Sequence, residues 1–219
     1  MSEANSHCLV IVIDDDVQVR DSLANLCRSV DLPVEAFSST SEFLSRDRPD
    51  APACLVLDVR FPGSAPSGLD FQRELVGMGN PLPIIFISGH ADVPMAVQAM
   101  KQGAVEFLMK PVREQALLDA IRYAIAQDRK RREEQRLFAS VHSRFKSLSE
   151  REREIMFLVA RGLLNKQIAA ELGVSEVTVK VHRGSAMRKM QAASLADLIR
   201  MSDRLNGSFA LGEPADAKA

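Results

Sequence analysis

The chain has 219 residues, 46% of them hydrophobic and 26% charged, with a formal net charge of −1. That is enough chain for two domains, each with a core of its own. No apolar run approaches the roughly 20 residues that cross a bilayer, and the first residues lack a charged-then-apolar leader, so a cytoplasmic protein without a membrane partner is expected.

The small net charge hides a division. Residues 1–128 hold 18 acidic and 10 basic side chains, whereas residues 129–219 hold 11 and 18. Such a split points to one part that handles a cation or regulates, and another that meets a polyanion. Cys8, Cys27 and Cys54 are odd in number and far apart, which reads as buried thiols rather than a disulfide or a metal site. His7, His90, His142 and His182 form no ligand-like cluster, so any metal must be held by oxygen.

In chain order, a first apolar run at 9–13 leads into Asp14-Asp15-Asp16. Val19, Leu23, Leu26 and Val30 then recur at a helical period. Pro33 breaks it, 34–37 is a short strand, and Ser39-x-x-Glu42 is a capping box before Phe43 and Leu44. The run at 54–57 ends on Asp58. A loop with Pro62, Gly63, Pro66 and Gly68 precedes a helix over 69–76. The run at 84–87 ends on Ser88, and a helix over 93–102 closes at Gly103. The run at 105–109 ends on Lys110-Pro111, and a helix from about 113 continues beyond Ala126. Five βα units call for an α/β fold: a five-stranded, parallel, doubly wound sheet with helices on both faces.

The mixed-charge stretch 128–136 reads as a solvated continuation of that helix, with a linker before Ser147. Four helices follow. Ser149-x-x-Glu152 caps one that stops at Gly162, and 165–172 is a short helix closed by Gly173. Ser175 caps a third reaching about Met190, and Ser194 with Asp197 caps a fourth ending near Asn206. From Gly207 the chain has no apolar period and a disordered tail is expected. The expected domains are thus 8–126, a helical extension and linker over 127–147, an all-α helix-turn-helix domain over 148–206, and the tail 207–219.

In parallel α/β sheets function gathers at the carboxyl ends of the strands. Three acids, a hydroxyl and an ammonium meeting there suit phosphoryl chemistry. Converging carboxylates repel unless a hard cation such as Mg²⁺ sits among them. Asp58 is placed to act as a carboxylate nucleophile, and Lys110 to neutralise charge on the transferred oxygens. Ser88 supplies a hydroxyl donor, and the Lys110–Pro111 bond is a candidate cis peptide. Singly, each ending has an ordinary reading as a turn or helix cap. Four of matching type on one edge are much harder to dismiss.

These residues resemble the receiver domain of two-component response regulators, a CheY-like (flavodoxin-like) fold. The resemblance implies that Asp58 is the phosphoacceptor, that Asp15 and Asp58 bind Mg²⁺ (or Mn²⁺) directly, that Asp14 acts through water, and that the Arg60 backbone carbonyl completes the protein ligands. It makes Ser88 and Phe107 the switch residues and Lys110 the matching lysine; Asp16 need not face the metal. Compared with FixJ-type relatives, the stretch Asp58-Val59-Arg60-Phe61-Pro62-Gly63-Ser64-Ala65-Pro66-Ser67-Gly68 is two residues longer, with the extra length around Ser64-Ala65-Pro66. Arg60 and His90 stand two residues beyond the acceptor and the switch hydroxyl, where substitution is expected to change phosphoryl lifetime.

In the basic half, Ile168, Ala169, Leu172 and Val174 supply contacts that lock a helix pair. Val179, Ala186 and Met190 form the core stripe of its second helix, leaving Lys180, Val181, Gly184 and Arg188 on other faces. Leu148-Ser149-Glu150-Arg151-Glu152, Gly162 to Ala169, Leu172 to Ser175 and Thr178 to His182 resemble the LuxR/NarL DNA-binding domain. That resemblance makes Lys180 and Val181 base contacts, with Gly184 at a third reading position. Lys166, Thr178, His182, Arg183 and Arg188 become backbone-contacting or helix-positioning residues. Glycine costs about 1 kcal/mol inside a helix, so Gly184 implies close approach either to DNA or to another helix. Ser185 stands where FixJ-type relatives often carry a basic residue, which removes one phosphate contact.

The domain order is that of FixJ/NarL response regulators, and Gly89 to Val97 with Val181 to Gly184 leans to the FixJ branch. The resemblance implies a DNA-binding transcriptional regulator that takes a phosphoryl group from a sensor histidine kinase, dimerises on phosphorylation and binds double-stranded promoter DNA, with RNA polymerase as a further partner. It is then no enzyme beyond self-phosphorylation and slow autodephosphorylation. Two other readings use the same residues. An Asp-nucleophile phosphohydrolase would turn over small phosphate esters, and a phosphorylation-independent transcription factor would retain promoter activation with Asp58→Asn.

Overall fold

The computed structural model describes residues 8–47, 49–61, 67–79, 82–89 and 93–209, with side chains described as far as residue 205. The chain divides into two compact units, Met1–Arg132 and Glu133–Ala219. In the first, elements alternate as β1 (Leu9–Ile13), α1 (Val17–Ser29), β2 (Val34–Phe37), α2 (Thr40–Leu44), β3 (Ala53–Asp58), α3 (Gly68–Gly77), β4 (Ile84–Ser88), α4 (Val93–Lys101) and β5 (Glu106–Met109). Helix α5 (Glu114–Lys146) begins in the first unit and ends in the second. All strand pairs are parallel and the order is β2-β1-β3-β4-β5, the α/β sheet expected from the sequence.

Strands β1, β3 and β4 are buried along their whole length, which is why they read as unbroken apolar runs rather than alternating ones. Alternation along the strands still divides the core into two layers. Ile11, Ile13, Leu55, Leu57 and Phe86 pack with Phe43 of α2 and Phe71 and Leu75 of α3. Val10, Val12, Val56, Ile85 and Ile87 pack on the other side with Leu23 and Cys27 of α1 and Leu117 and Ile121 of α5. Each fully buried aliphatic side chain contributes about 1.5–3 kcal/mol. The three cysteines are buried and unbridged; burial pushes their thiols up, Cys27 to about 11, so they pack as neutral groups.

The second unit adds α6 (Glu150–Ala160), α7 (Asn165–Leu172), α8 (Glu176–Met190) and α9 (Leu195–Phe209) around Ile155, Met156, Ile168, Val179, Ala186, Met190 and Leu198. Ser149 and Glu152 form the expected capping box, and Gly173 closes α7 at φ 66°.

Four local expectations need correction. No irregular linker precedes Ser147, because α5 runs to Lys146. Asp128 is wholly buried instead of solvated, taking hydrogen bonds from Arg131, Arg132 and the Ala53 N–H. Ser39 caps α2, but Glu42 accepts from the Ser38 N–H and hydroxyl, both at 2.8 Å, which leaves the capping box one-sided. Residues 207–209, assigned to the tail, continue α9, and 210–219 lie outside the described residues.

Candidate functional site

Where the sheet order reverses, between β1 and β3, successive connections leave on opposite faces and a crevice opens at the strand carboxyl ends. Strand β1 delivers Asp14 and Asp15 to it and β3 delivers Asp58. Carboxylate oxygens of the three lie within 4.8 Å of one another. Lys110, just past β5, bridges two of them, with Nζ 2.6 Å from Asp14 Oδ2 and 3.1 Å from Asp58 Oδ2. The Asp14 Oδ1 also accepts the Asp16 N–H at 3.0 Å.

Burial pushes the Asp14 carboxyl above the usual range, against the pull of Lys110. Burial likewise disfavours the Lys110 charge, but its hydrogen bonds to Asp14 and Asp58 outweigh this and raise its pKa. Lys110 is therefore an ammonium that offsets one of three acidic groups. The oxygen-only donor set and the remaining negative charge fit a hard divalent cation.

Asp16 stands apart from this group: it is the N-cap of α1, accepting the Gln18 and Val19 N–H groups. Ser88 ends β4 and is 1% exposed. Its carbonyl accepts the Lys110 N–H at 2.8 Å, which ties the lysine to the β4 edge, and Lys110–Pro111 is cis. Phe107 is half-buried, its ring 6.2 Å from that of Phe86. Arg60 is exposed, and its N–H points to Asp58 Oδ1 at 3.4 Å. His90 and Ser64-Ala65-Pro66 lie outside the described residues.

In the second unit α7 and α8 form the expected pair. Val179, Ala186 and Met190 are the buried side of α8, while Lys180, Val181, Gly184 and Arg188 are exposed, as is Lys166 on α7. Arg183 donates to Asn165 Oδ1 at 3.1 Å, tying α8 to the first turn of α7. Thr178 is half-buried, with its hydroxyl 2.8 Å from that of the cap Ser175. His182 is half-buried.

Residues 10–122 match the response regulator receiver domain family, and residues 146–202 match the bacterial regulatory proteins of the luxR family. Nodulation protein W of Bradyrhizobium diazoefficiens is 57% identical over 204 residues, covering 93% of this chain and 89% of the relative. Transcriptional regulatory protein FixJ of Azorhizobium caulinodans is 42% identical over 193 residues, 88% of this chain and 90% of the relative. The solved structure of the response regulator StyR aligns with a TM-score of 0.81 at 46% identity, over 90% of this chain and 99% of that one. This chain belongs to the FixJ-type response regulators. It pairs a CheY-like receiver with a LuxR-type DNA-binding domain and is a two-component transcriptional regulator.

Three features of the regulator escaped the sequence reading. Val177, 71% exposed, was not singled out, yet it recurs with Val181, Gly184 and Arg188 at i, i+4, i+7 and i+11 on the outward side of α8. The same period that revealed the core stripe marks this one. Arg20 of α1 reaches back to the acidic loop, its Nη1 2.7 Å from the Asp14 carbonyl and 2.8 Å from that of Asp15. Gly68, at the start of α3, packs directly on the Asp58 carbonyl.

Ser185 is turned inward. It joins Lys189 and the Ser149 N–H, each of the latter 2.7 Å from Glu152 Oε2, in binding the buried Glu152 carboxylate. Burial disfavours that charge, but Lys189, Ser185 and Ser149 overcome it and hold the pKa at about 2. The folded value lies below the unfolded one, so this stabilisation is full above about pH 4.5 and disappears as pH falls toward 2. Glu152→Gln is expected to cost about 2 kcal/mol at pH 7. Thermal unfolding of the full chain between pH 6 and pH 3, read in the DNA-binding domain, should show the wild type converging on the variant; parallel curves would rule the charge out as the cause.

Proposed function

We propose that Asp58 accepts a phosphoryl group from a sensor histidine kinase and that this switches DNA binding by the second domain. A carboxylate oxygen of Asp58 forms the new O–P bond as the N–P bond of the kinase phosphohistidine breaks; the electron pair returns to the imidazole, which takes up a proton. Lys110 holds positive charge against the transferred oxygens, and Ser88 donates its hydroxyl to one of them. Asp15 and Asp58 would hold Mg²⁺ (or Mn²⁺) directly, Asp14 through water, with the Arg60 carbonyl as a further ligand. The bound ion supplies charge neutralisation between attacking and leaving groups.

The observation that carries this reading is Lys110 bridging Asp14 and Asp58 beside Asp15, since it assembles acceptor, counter-charge and cation ligands at one strand edge. Ser88 and Phe107 relay the new charge to the receiver surface, favouring a homodimer that presents two recognition helices to adjacent half-sites. The receiver is taken as 8–126 and the DNA-binding domain as 148–206, joined through 127–147. The protein acts in the cytoplasm, where kinase, promoter DNA and RNA polymerase are its partners, and its only catalysis is on its own acyl phosphate.

On the DNA side, Lys180, Val181 and Gly184 face base edges, with Val177 adding apolar contact suited to a thymine methyl. Lys166, Thr178, His182, Arg183 and Arg188 contact the backbone or set the helix. The test is a pair of variants in the full chain. Asp58→Asn should abolish labelling by acetyl phosphate and the phosphorylation-dependent rise in operator affinity, while Lys180→Ala should leave labelling intact and cost about 1–3 kcal/mol of operator binding. Equal promoter activation by Asp58→Asn and wild type would refute the switch.

Gly184 gives a sharper check. Among the described residues a Cβ there would meet nothing within 4 Å, so packing on another described helix does not explain the glycine. Gly184→Ala is expected to stabilise the domain by up to about 1 kcal/mol and to weaken operator binding, because the methyl lies between α8 and the groove. Unchanged or tighter binding would remove Gly184 from the interface.

A further inference from the structure

Asp15 is held differently from its two acidic neighbours. Asp14 and Asp58 are buried and both accept from Lys110. Asp15 is exposed, and among the described residues no hydrogen bond reaches its carboxylate. What is held at Asp15 is the backbone, and the group that holds it is Arg20.

Arg20 lies in the first turn of α1, half-buried, with its guanidinium turned back over the loop it has just left. One nitrogen, Nη1, donates to the carbonyls of both Asp14 and Asp15. Those two carbonyls belong to the peptide planes on either side of the Asp15 Cα. A residue has only two soft backbone dihedrals, so holding both planes fixes φ and ψ of Asp15 and the direction in which its side chain leaves. The far side of the loop is fixed too: Asp16 caps α1 with its carboxylate, and its carbonyl accepts the Arg20 N–H. An arginine suits the task because it is always charged and offers two donors on one planar nitrogen.

We propose that Arg20 is a positioning residue for phosphoryl transfer: by clamping the Asp14 and Asp15 carbonyls it keeps the Asp15 carboxylate aimed at Asp58 and sets the pocket's affinity for a divalent cation. The proposal rests on the reading that these carboxylates hold Mg²⁺. Arg20 acts through the loop, so its removal shifts cation affinity more than it shifts the chemistry at saturating cation.

The experiment uses the full chain as wild type, Arg20→Ala, Arg20→Lys and, as a ligand control, Asp15→Asn. Mg²⁺ alone is titrated calorimetrically into each unphosphorylated protein, and labelling by acetyl phosphate is then followed against Mg²⁺ concentration. Arg20→Ala is expected to bind Mg²⁺ about tenfold more weakly, the usual cost of losing a group that orients a metal ligand. Its half-saturating Mg²⁺ should rise by more than its maximal labelling rate falls. Arg20→Lys keeps the charge without the planar pair of donors; it remains informative should the alanine variant unfold, and it should recover only part of the affinity. Wild-type Mg²⁺ affinity in a folded Arg20 variant overturns the proposal, as does a loss confined to melting temperature and maximal rate. Absence of Mg²⁺ binding by the wild type would overturn the cation reading itself, a result separable from both.

Discussion

Replacing Gly68 with alanine is expected to destabilise the receiver by about 3 kcal/mol and to slow the phosphoryl acceptance proposed for Asp58 by about tenfold or more. A Cβ on Gly68 would lie 2.3 Å from the Asp58 carbonyl oxygen and 3.1 Å from both Val59 Cα and the Phe86 ring. Two of these neighbours are backbone and cannot rotate away. Retreat of α3 is blocked as well, because the Gly68 N–H bonds the Val59 carbonyl at 2.9 Å and the Ser67–Asp70 capping box fixes the helix entry. The strain is relieved only by moving the end of β3, which carries Asp58, the proposed phosphoacceptor. Gly77, at the other end of the same helix, is the control. Among the described residues a Cβ there meets nothing within 4 Å, so Gly77→Ala should leave stability and labelling near wild type. Thermal unfolding with acetyl phosphate labelling of both variants decides the matter; a Gly68→Ala protein that melts and labels like the wild type would show that the strand end is more pliable than its hydrogen bonds imply.

The pocket was legible in the sequence because a buried parallel strand is a continuous apolar run, and its first polar residue is the one that emerges at the carboxyl edge. Asp14, Asp58, Ser88 and Lys110 all announced themselves by this change of character. The core stripe of α8 was equally plain, since Val179, Ala186 and Met190 keep a helical period among polar neighbours. What remained hidden depends on contacts between distant segments. Gly68 looked like one more loop glycine, and its necessity comes from a carbonyl ten positions earlier that only the β3–α3 connection brings against it. Arg20 carried no signal of its own, because a side chain that bonds backbone carbonyls leaves no complementary residue in the sequence. The capping of α2 shows the limit at short range: Ser38 and Ser39 are both plausible partners for Glu42, and packing chose the first for its carboxylate.

Asp128, which the sequence places in a solvated mixed-charge run, is buried instead, and its removal carries the second large effect. Asp128→Ala is expected to cost the receiver about 3–5 kcal/mol, the range for breaking a buried ion pair from one side. The carboxylate is 0% exposed and sits between the Arg131 and Arg132 guanidinium groups, with Arg132 Nε at 2.7 Å; Arg132 also pairs with Asp50. The same Oδ2 also accepts, at 2.9 Å, the N–H of Ala53, the first residue of the strand that ends in Asp58, while Arg131 holds Oδ1. Alanine leaves that buried N–H unpaired and takes the carboxylate from between two partly buried cations, whereas Asp128→Asn keeps an acceptor for Ala53 and loses only the charge. The asparagine variant should therefore fall between the alanine variant and the wild type. Burial raises the Asp128 pKa, but Arg131 and Arg132, with the Ala53 N–H, overcome it and leave the value below the ordinary carboxylate range. A folded pKa below the unfolded one means that the charge stabilises above about pH 4 and ceases to do so as pH falls through the folded value. Urea unfolding at a series of pH values should then show the gap between wild type and Asp128→Asn closing below pH 4. A gap that stays constant down to pH 3 would assign the stabilisation to the shape and hydrogen bonding of the site, with its charge contributing nothing.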